Sequence, residues 1–236
     1  MKINLKQIPA VYMNLKQHNE KNEKMKNLLK TCGFEHIIRV EGSYRPDNPP
    51  AGCAAAHYDG VSEIDPPFIL FEDDCEVHNF KSVIEVPDNA DAVYLGTSQW
   101  ARYWQFSGPF VHYDPIDDDI VRTYNMLGGH SILYLSHDYV RMCQRICHHA
   151  SKIIGYNQDP GFAEVQKYFN IYSVNDPFFK QSGYNNKVTS CKVTDIGIHV
   201  NDAQAFFDSV KYDFTRLQGI PDLNGSPSTY HPLRIV

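Results

Sequence analysis

The stretch Phe68-Ile69-Leu70-Phe71-Glu72-Asp73-Asp74 sets four consecutive large apolar residues directly before three carboxylates. A short unbroken apolar run suits a strand covered on both faces, as at the centre of a parallel sheet. In an open sheet of that kind, ligands bind beyond the carboxyl ends of the strands. Carboxylates at such a point are hard oxygen donors that suit Mg²⁺ or Mn²⁺. Left without a cation, three adjacent carboxylates repel one another and resist burial. Many chains use the same run as a solvated acidic turn, so its meaning depends on what surrounds it.

The preceding residues read as strand, helix, strand. Ile8 to Leu15 is a short apolar strand, and Glu20 to Cys32 carries Met25, Leu28 and Leu29 at helical spacing, with Gly33 as its C-cap. Ile37-Ile38-Arg39-Val40 is a second strand. This βαβ start implies a parallel sheet. A loop rich in turn formers, Glu41 to Ala51, leads into a helix beginning at Gly52-Cys53-Ala54-Ala55-Ala56-His57. Further strands are expected at Ala92–Leu95, Ser131–Leu135 and Asn170–Val174, and helices at His137–Ala150, capped by Ser136, and Asp159–Tyr168. The aromatic segment from Thr97 to Asp119 is long for a structureless loop and implies a functional flap or added strands. The expected class is α/β: a Rossmann-like, open, mostly parallel sheet flanked by helices.

Bulk properties narrow the function. The formal net charge of −6 argues against a protein that grips duplex nucleic acid over a broad basic face, though not against a local groove. The aromatic content of 13% suits a cleft that stacks on bases or sugar rings, or simply an aromatic core. No apolar run approaches the roughly 18–20 residues that span a bilayer, and Met1 to Asn14 lacks the apolar segment of a signal peptide. Six scattered cysteines do not read as a disulfide scaffold, so reduced thiols in a cytoplasm are expected, without stable membrane insertion. Cys143-x-x-x-Cys147-His148-His149 invites a zinc reading, but adjacent His148 and His149 diverge by about 100° on a helix. Core cysteines and surface histidines are the expectation. Asp117-Asp118-Asp119 has no strand before it and reads as a solvated turn.

Residues 10–185 resemble glycosyltransferase family 25, the lipopolysaccharide and collagen-type galactosyltransferases of the GT-A fold. Val11-Tyr12-Met13-Asn14-Leu15 is similar to that family's first strand and Asn-Leu pair. Gly52-Cys53-Ala54-Ala55-Ala56-His57 resembles its Gly-Cys-x-x-Ser-His helix start, with Ala56 for Ser. Phe68 to Asp74 is similar to its strand and Glu-Asp-Asp signature, and Asp91 to Gly96 to its Asp-x-x-Tyr-Leu-Gly strand. Asn157-Gln158-Asp159, with Ile171 to Val174 and Pro177, resembles its later Asp segment and Tyr-x-Val-x-x-Pro stretch. The chain departs where the family commonly has an Arg about seven residues after the Asn-Leu start; Lys21 stands there, and Lys meets a phosphate only as a point charge.

The resemblance implies one GT-A-like domain over 1–236, with residues 1–96 a nucleotide-sugar-binding half and 97–236 an acceptor-binding half. It implies a hexosyl- or pentosyltransferase, inverting by analogy, with Mn²⁺ or Mg²⁺ and a nucleotide-sugar co-substrate, a UDP-sugar first. Glu72, Asp74 and His199 would hold the metal. Asn14, Leu15, Lys21, His57, Glu72, Asp73 and His130 would meet the donor. Asp159 would be the base, and Trp100, Arg102 and Trp104 an acceptor platform. The acceptor is either a surface glycan such as lipopolysaccharide or a hydroxymethylated base of DNA, the second fitting a short phage-encoded member in an infected host. A nucleotidyltransferase or nucleotide-sugar hydrolase on the same fold would carry a Gly-rich phosphate loop, and Asn14 to Lys24 holds no glycine. An inactive nucleotide-sugar-binding module would have a broken acidic motif. The oligomeric state is not legible in these residues.

Overall fold

The computed structural model describes residues 1–103, 106–108, 111–183 and 186–200, with the backbone alone at 103, 106–108 and 186. Nine strands form one sheet: β1 (Ala10–Asn14), β2 (Ile37–Glu41), β3 (Phe68–Glu72), β4 (Ala92–Tyr94), β5 (His112–Pro115), β6 (Ile120–Thr123), β7 (Ser131–Tyr134), β8 (Ile171–Val174) and β9 (Ile198–His199). Their spatial order is β9-β5-β6-β8-β4-β7-β3-β1-β2. The helices are α1 (Asn19–Cys32), α2 (Pro49–Ser62), α3 (His137–Ala150) and α4 (Asp159–Val165), with short turns at Asn186–Thr189 and Val193–Ile196.

The α/β class holds, but the sheet is mixed rather than mostly parallel. β1 runs parallel to both β2 and β3, and β4 parallel to β8. β7 runs antiparallel to both its neighbours, β3 and β4, and β6 antiparallel to β8 and β5. Periodicity could not reveal this, because a strand covered on both faces is an apolar run whichever way it points. Strands from both sides of residue 96 interleave, since β7 sits between β3 and β4.

The alternation of side chains along β1 and β3 assigns the helices to opposite faces. Val11, Met13, Phe68 and Leu70 point to one side and pack with Ala56 and Val61 of α2, Tyr139, Cys143 and Cys147 of α3, and Phe162 of α4. Ala10, Tyr12, Ile69 and Phe71 point to the other and pack with Met25 and Leu29 of α1. The chain leaves β1 through α1 to reach β2 on one side, then crosses back through α2 to β3 on the other. β1 and β3 therefore flank the point where the strand order reverses, the place where such sheets bind ligands.

Local chemistry explains the element ends. α1 closes on Gly33 at φ 84°, as its sequence predicts. α3 starts where Ser136 Oγ accepts from the Tyr139 amide at 3.2 Å. α2 starts at Pro49, three residues before the expected Gly52, because Pro49 and Pro50 occupy first-turn positions that need no amide donor. The Thr97–Asp119 stretch supplies added strands: β5 and a hairpin of Ala101–Tyr103 with Phe106–Gly108. Asp117 Oδ1 accepts from the amides of Asp119 and Ile120 in a surface turn, the solvated role expected of that acidic run. Cys143 and Cys147 lie in the core, and His148 and His149 are exposed. Among the described residues, no helix is long and apolar enough to cross a membrane.

Leu70 is fully buried at the centre of the sheet. Its truncation to alanine is expected to cost about 2–5 kcal/mol in urea-melt stability, through lost burial and a residual cavity. Ile154→Ala, at an 80% exposed side chain, should stay within about 0.5 kcal/mol. Equal effects at the two positions would contradict this account of the core.

Candidate functional site

A cleft of about 290 Å³ opens at the carboxyl ends of β1 and β3. Its floor is Met13, Asn14 and Leu15 from β1 and Glu72, Asp73 and Asp74 from β3. One wall is the loop after β2, Gly42 to Pro46; the other is the first half of α2, with Gly52, Cys53, Ala56 and His57. Lys21 of α1 closes a corner. The loop and α2 touch closely: a β-carbon at Gly52 would lie 2.7 Å from the Ser43 carbonyl oxygen, so only glycine fits there. The volume is at the small end of the range for ligand clefts, roughly 300–1,000 Å³.

The three carboxylates of the motif have different fates. Asp73 is fully engaged: Oδ1 accepts from Lys21 Nζ at 2.8 Å and Oδ2 from Asn14 Nδ2 at 2.8 Å. Burial opposes the charge on Lys21, but the bond and charge of Asp73 outweigh it and raise the Lys21 pKa. Glu72 is also engaged, with Oε1 2.9 Å from His57 Nε2 and Oε2 accepting from Gln181 Nε2 at 3.0 Å. Burial pushes Glu72 up, yet the bond and charge of His57, with the Gln181 amide, prevail and lower its pKa. Asp74 has no such support. Its Oδ1 is buried without a hydrogen-bond partner. Burial, then the negative charge of Glu72, push its pKa up to about 7, with Lys21 only partly offsetting them and Asp73 adding to them.

A second layer of titratable groups lies against Glu72. His57 is fully buried, and its Nδ1 makes no hydrogen bond. Burial disfavours its charge, but contact with Cys53 and Glu72 raises its pKa to about 10. Burial also raises the Cys53 pKa and keeps it a thiol, so the anion that retains the His57 proton is Glu72. Asp159, the first residue of α4, approaches the same imidazole. A β-carbon at Gly129 would meet His57 Cε1 at 3.1 Å and Asp159 Oδ1 at 3.2 Å, so both groups converge on that backbone. Burial and then the Glu72 charge push Asp159 up to about 6, against His57 and the bond from Gln158. His130 is buried beside Glu72, whose backbone N–H donates to the His130 carbonyl at 3.0 Å. Burial lowers the His130 pKa, so its ring is neutral.

No family model matches the chain, and no curated protein matches it. The geometry alone therefore sorts the residues expected from the sequence. Asn14, Leu15, Lys21, His57, Glu72, Asp73 and Asp74 come together in the cleft. Asn14 acts there as a clamp, donating to Asp73 and to the His18 carbonyl at 3.2 Å while accepting from Arg39 at 3.2 Å. Asp159 and His130 stand behind the lining residues.

The remaining candidates lie elsewhere. His199 does not join Glu72 and Asp74 as a third metal ligand. It lies on β9, the far edge strand, six strand positions from β3 and so about 29 Å away at about 4.8 Å per strand. There it stacks on Tyr113 and sits 3.7 Å from Asp114 Oδ1. Arg102 is buried at 7% exposure and paired with Glu164 at 3.2 Å, which makes it part of the packing rather than an open platform. Trp100 is 41% exposed. Trp104 lies outside the described residues.

Two groups at the site were missed by sequence reasoning, Arg45 in the cleft lining and Gln181 behind Glu72. Arg45 donates to the Ser151 carbonyl and, through Nε, to Ser43 Oγ at 3.3 Å. A guanidinium thus reaches the cleft from the loop after β2, not from α1 where the resemblance puts an Arg. Gln181 arrives on a short strand, Phe179–Gln181, that pairs antiparallel with Cys75–Val77 directly after the motif. No local signal marks either residue for the site, because the bonds of Arg45 to Ser151 and of Gln181 to Glu72 are remote in sequence.

Ionised Asp74 is a stability cost in the metal-free protein. Its folded pKa near 7 lies above the unfolded value of about 3.9. The folded state thus holds the extra proton between these values, and stability is lost as pH rises through 7. With a chelator present, Asp74→Asn should raise the melting temperature by at least about 3 °C near pH 8.5. The gain should fade as pH is lowered towards about 4. Melting curves across pH that show no gain in alkali would refute the buried, unpartnered carboxylate.

Proposed function

We propose that the chain is a divalent-metal-dependent glycosyltransferase of GT-A type, which moves a sugar from a nucleotide-sugar, a UDP-sugar first, to an acceptor hydroxyl. The observation that carries the reading is the unpartnered, buried Oδ1 of Asp74 in a cleft at the sheet's switch point. Hard oxygen donors and crowded negative charge fit Mn²⁺ or Mg²⁺. Asp74 would hold the ion, with Glu72 adjoining, since both Glu72 oxygens already have protein partners. When bound, the cation would neutralise charge developing on the leaving diphosphate.

The chain's own groups supply the rest. Asp73 is held by Lys21 and Asn14, which fixes the direction of the strand end that carries Asp74. Lys21 and Arg45 line the cleft and offer cationic groups to phosphate oxygens beside the acidic floor. Asp159, raised to about 6, is the base in this reading; it stands behind the cleft lining beside His57, so the acceptor hydroxyl would reach it only past that lining. His57 beside it offsets part of the repulsion from Glu72 and keeps Asp159 basic in a useful range. Trp100, exposed beyond the cleft, offers a face on which a sugar ring or a base can stack.

UDP with Mn²⁺ should raise the melting temperature of the intact chain by several degrees, because a ligand bound only by the native state at about 100 times its Kd contributes about 2.7 kcal/mol. UDP without metal should do much less. Asp74→Asn should abolish the metal-dependent shift. Asp159→Asn should retain it while lowering transfer by about 10²–10⁴-fold. Transfer assays with a lipopolysaccharide-type glycan, a hydroxymethylated oligonucleotide and its plain counterpart identify the acceptor. A metal-dependent shift that persists in Asp74→Asn refutes the assigned ligand.

A further inference from the structure

Among the described residues, one group of His, Cys, Asp and Glu side chains is close enough to hold a metal ion: Cys53, His57 and Glu72, whose ligand atoms lie within 4.8 Å of one another. We propose that Cys53 Sγ and His57 Nδ1 form a site for a thiophilic divalent cation such as Zn²⁺, distinct from the oxygen-donor position at Asp74.

Cys53 and His57 are four residues apart on α2, so their side chains share one face of the helix. Both line the cleft, and the Cys53 sulfur and a His57 ring nitrogen lie within 4.8 Å of each other. Glu72 Oε1 lies 2.9 Å from His57 Nε2. An ionised carboxylate only accepts, so Nε2 carries the proton in that bond. The other ring nitrogen, Nδ1, is then the one that can ligate once it gives up its proton, and it is the buried nitrogen without a hydrogen-bond partner. A histidine that donates one ring N–H to a carboxylate and offers the other nitrogen outward is how proteins orient imidazole for zinc. Gln181 in turn steadies the carboxylate through Oε2 at 3.0 Å.

The donor types separate this site from its neighbour. Sulfur and imidazole nitrogen favour Zn²⁺ over Mg²⁺ or Mn²⁺, whereas a lone carboxylate oxygen favours the reverse. Binding forms one metal–sulfur and one metal–nitrogen bond, and the protons on Cys53 Sγ and His57 Nδ1 are released to solvent. Water fills the positions that face the cleft. The site goes beyond glycosyl transfer and stands whether or not that reading holds.

The test uses the intact, chelator-treated chain with Co²⁺ as a spectroscopic stand-in for Zn²⁺. Wild type should develop a thiolate-to-cobalt charge-transfer band that added Zn²⁺ abolishes. Cys53→Ser should lack the band. Cys191→Ser, which removes the other half-buried thiol, and Asp74→Asn should keep it. Glu72→Gln should weaken cobalt binding by about 10–100-fold, as expected for loss of the carboxylate that orients a ligating histidine. Zn²⁺ should also slow alkylation of Cys53 in wild type at least about tenfold, a measurement that needs no variant. A missing cobalt band, a band that survives Cys53→Ser, or unprotected alkylation of Cys53 overturns the site.

Discussion

The site is governed by a shortage of partners for negative charge. Three consecutive carboxylates leave one strand end, and the surrounding protein neutralises two of them. Lys21 and Asn14 satisfy Asp73, and His57 and Gln181 satisfy Glu72. Asp74 keeps a buried Oδ1 with no hydrogen-bond partner, and Lys21 only partly offsets burial and the charge of its neighbours. A charge in such surroundings favours taking up a proton or a cation, because burial removes more hydration than its few favourable contacts replace. The imbalance thus sets what the cleft can bind.

The fold places that imbalance where a ligand can use it. The crossover through α1 to β2 and the return through α2 to β3 leave β1 between them, and both of its neighbours run parallel to it. The diverging connections open a cleft at the carboxyl ends of β1 and β3. β7 then adds on the far side of β3 in the opposite direction, and its start brings His130 and Gly129 against the motif. The three-residue strand carrying Gln181 fixes the exit of the motif. Elements from remote parts of the chain therefore converge on Glu72, while Asp74 Oδ1 next to it has no hydrogen-bond partner.

Much of the site's first wall was legible because its signals are local. The apolar run before the carboxylates fixes β3, the Asn-Leu end of β1 lies beside it, and His57 follows from the helix start at Gly52. Lys21 stands one turn into α1, on the side that meets β3. The groups that were not legible depend on tertiary geometry. The pairing of Lys21 with Asp73 and of Gln181 with Glu72 spans long sequence separations. The reversed direction of β7 and β6 has no trace in residue pattern. His199 sits in a strand next to a glycine, as an added metal ligand would, yet β9 adds at the opposite edge of the sheet. Strand identity can be read from residues that touch, but strand order is decided by residues that do not follow one another.

Holding Asp74 in its unfavourable position requires a rigid support. Phe68, Ile69, Leu70 and Phe71 are completely buried, and they pack alternately against α2 on one face and against Phe34 and Phe179 on the other. Displacing this strand by one residue would exchange its two faces and expose core side chains. Rotating only its end would break the bonds from His57 and Gln181 to Glu72. The strand end that leads into Asp74 is therefore held in place. The apolar packing of β3 provides the free energy that keeps the carboxylate strained, and the same packing keeps it pointed into the cleft. A softer strand would yield a more stable acidic turn and no site.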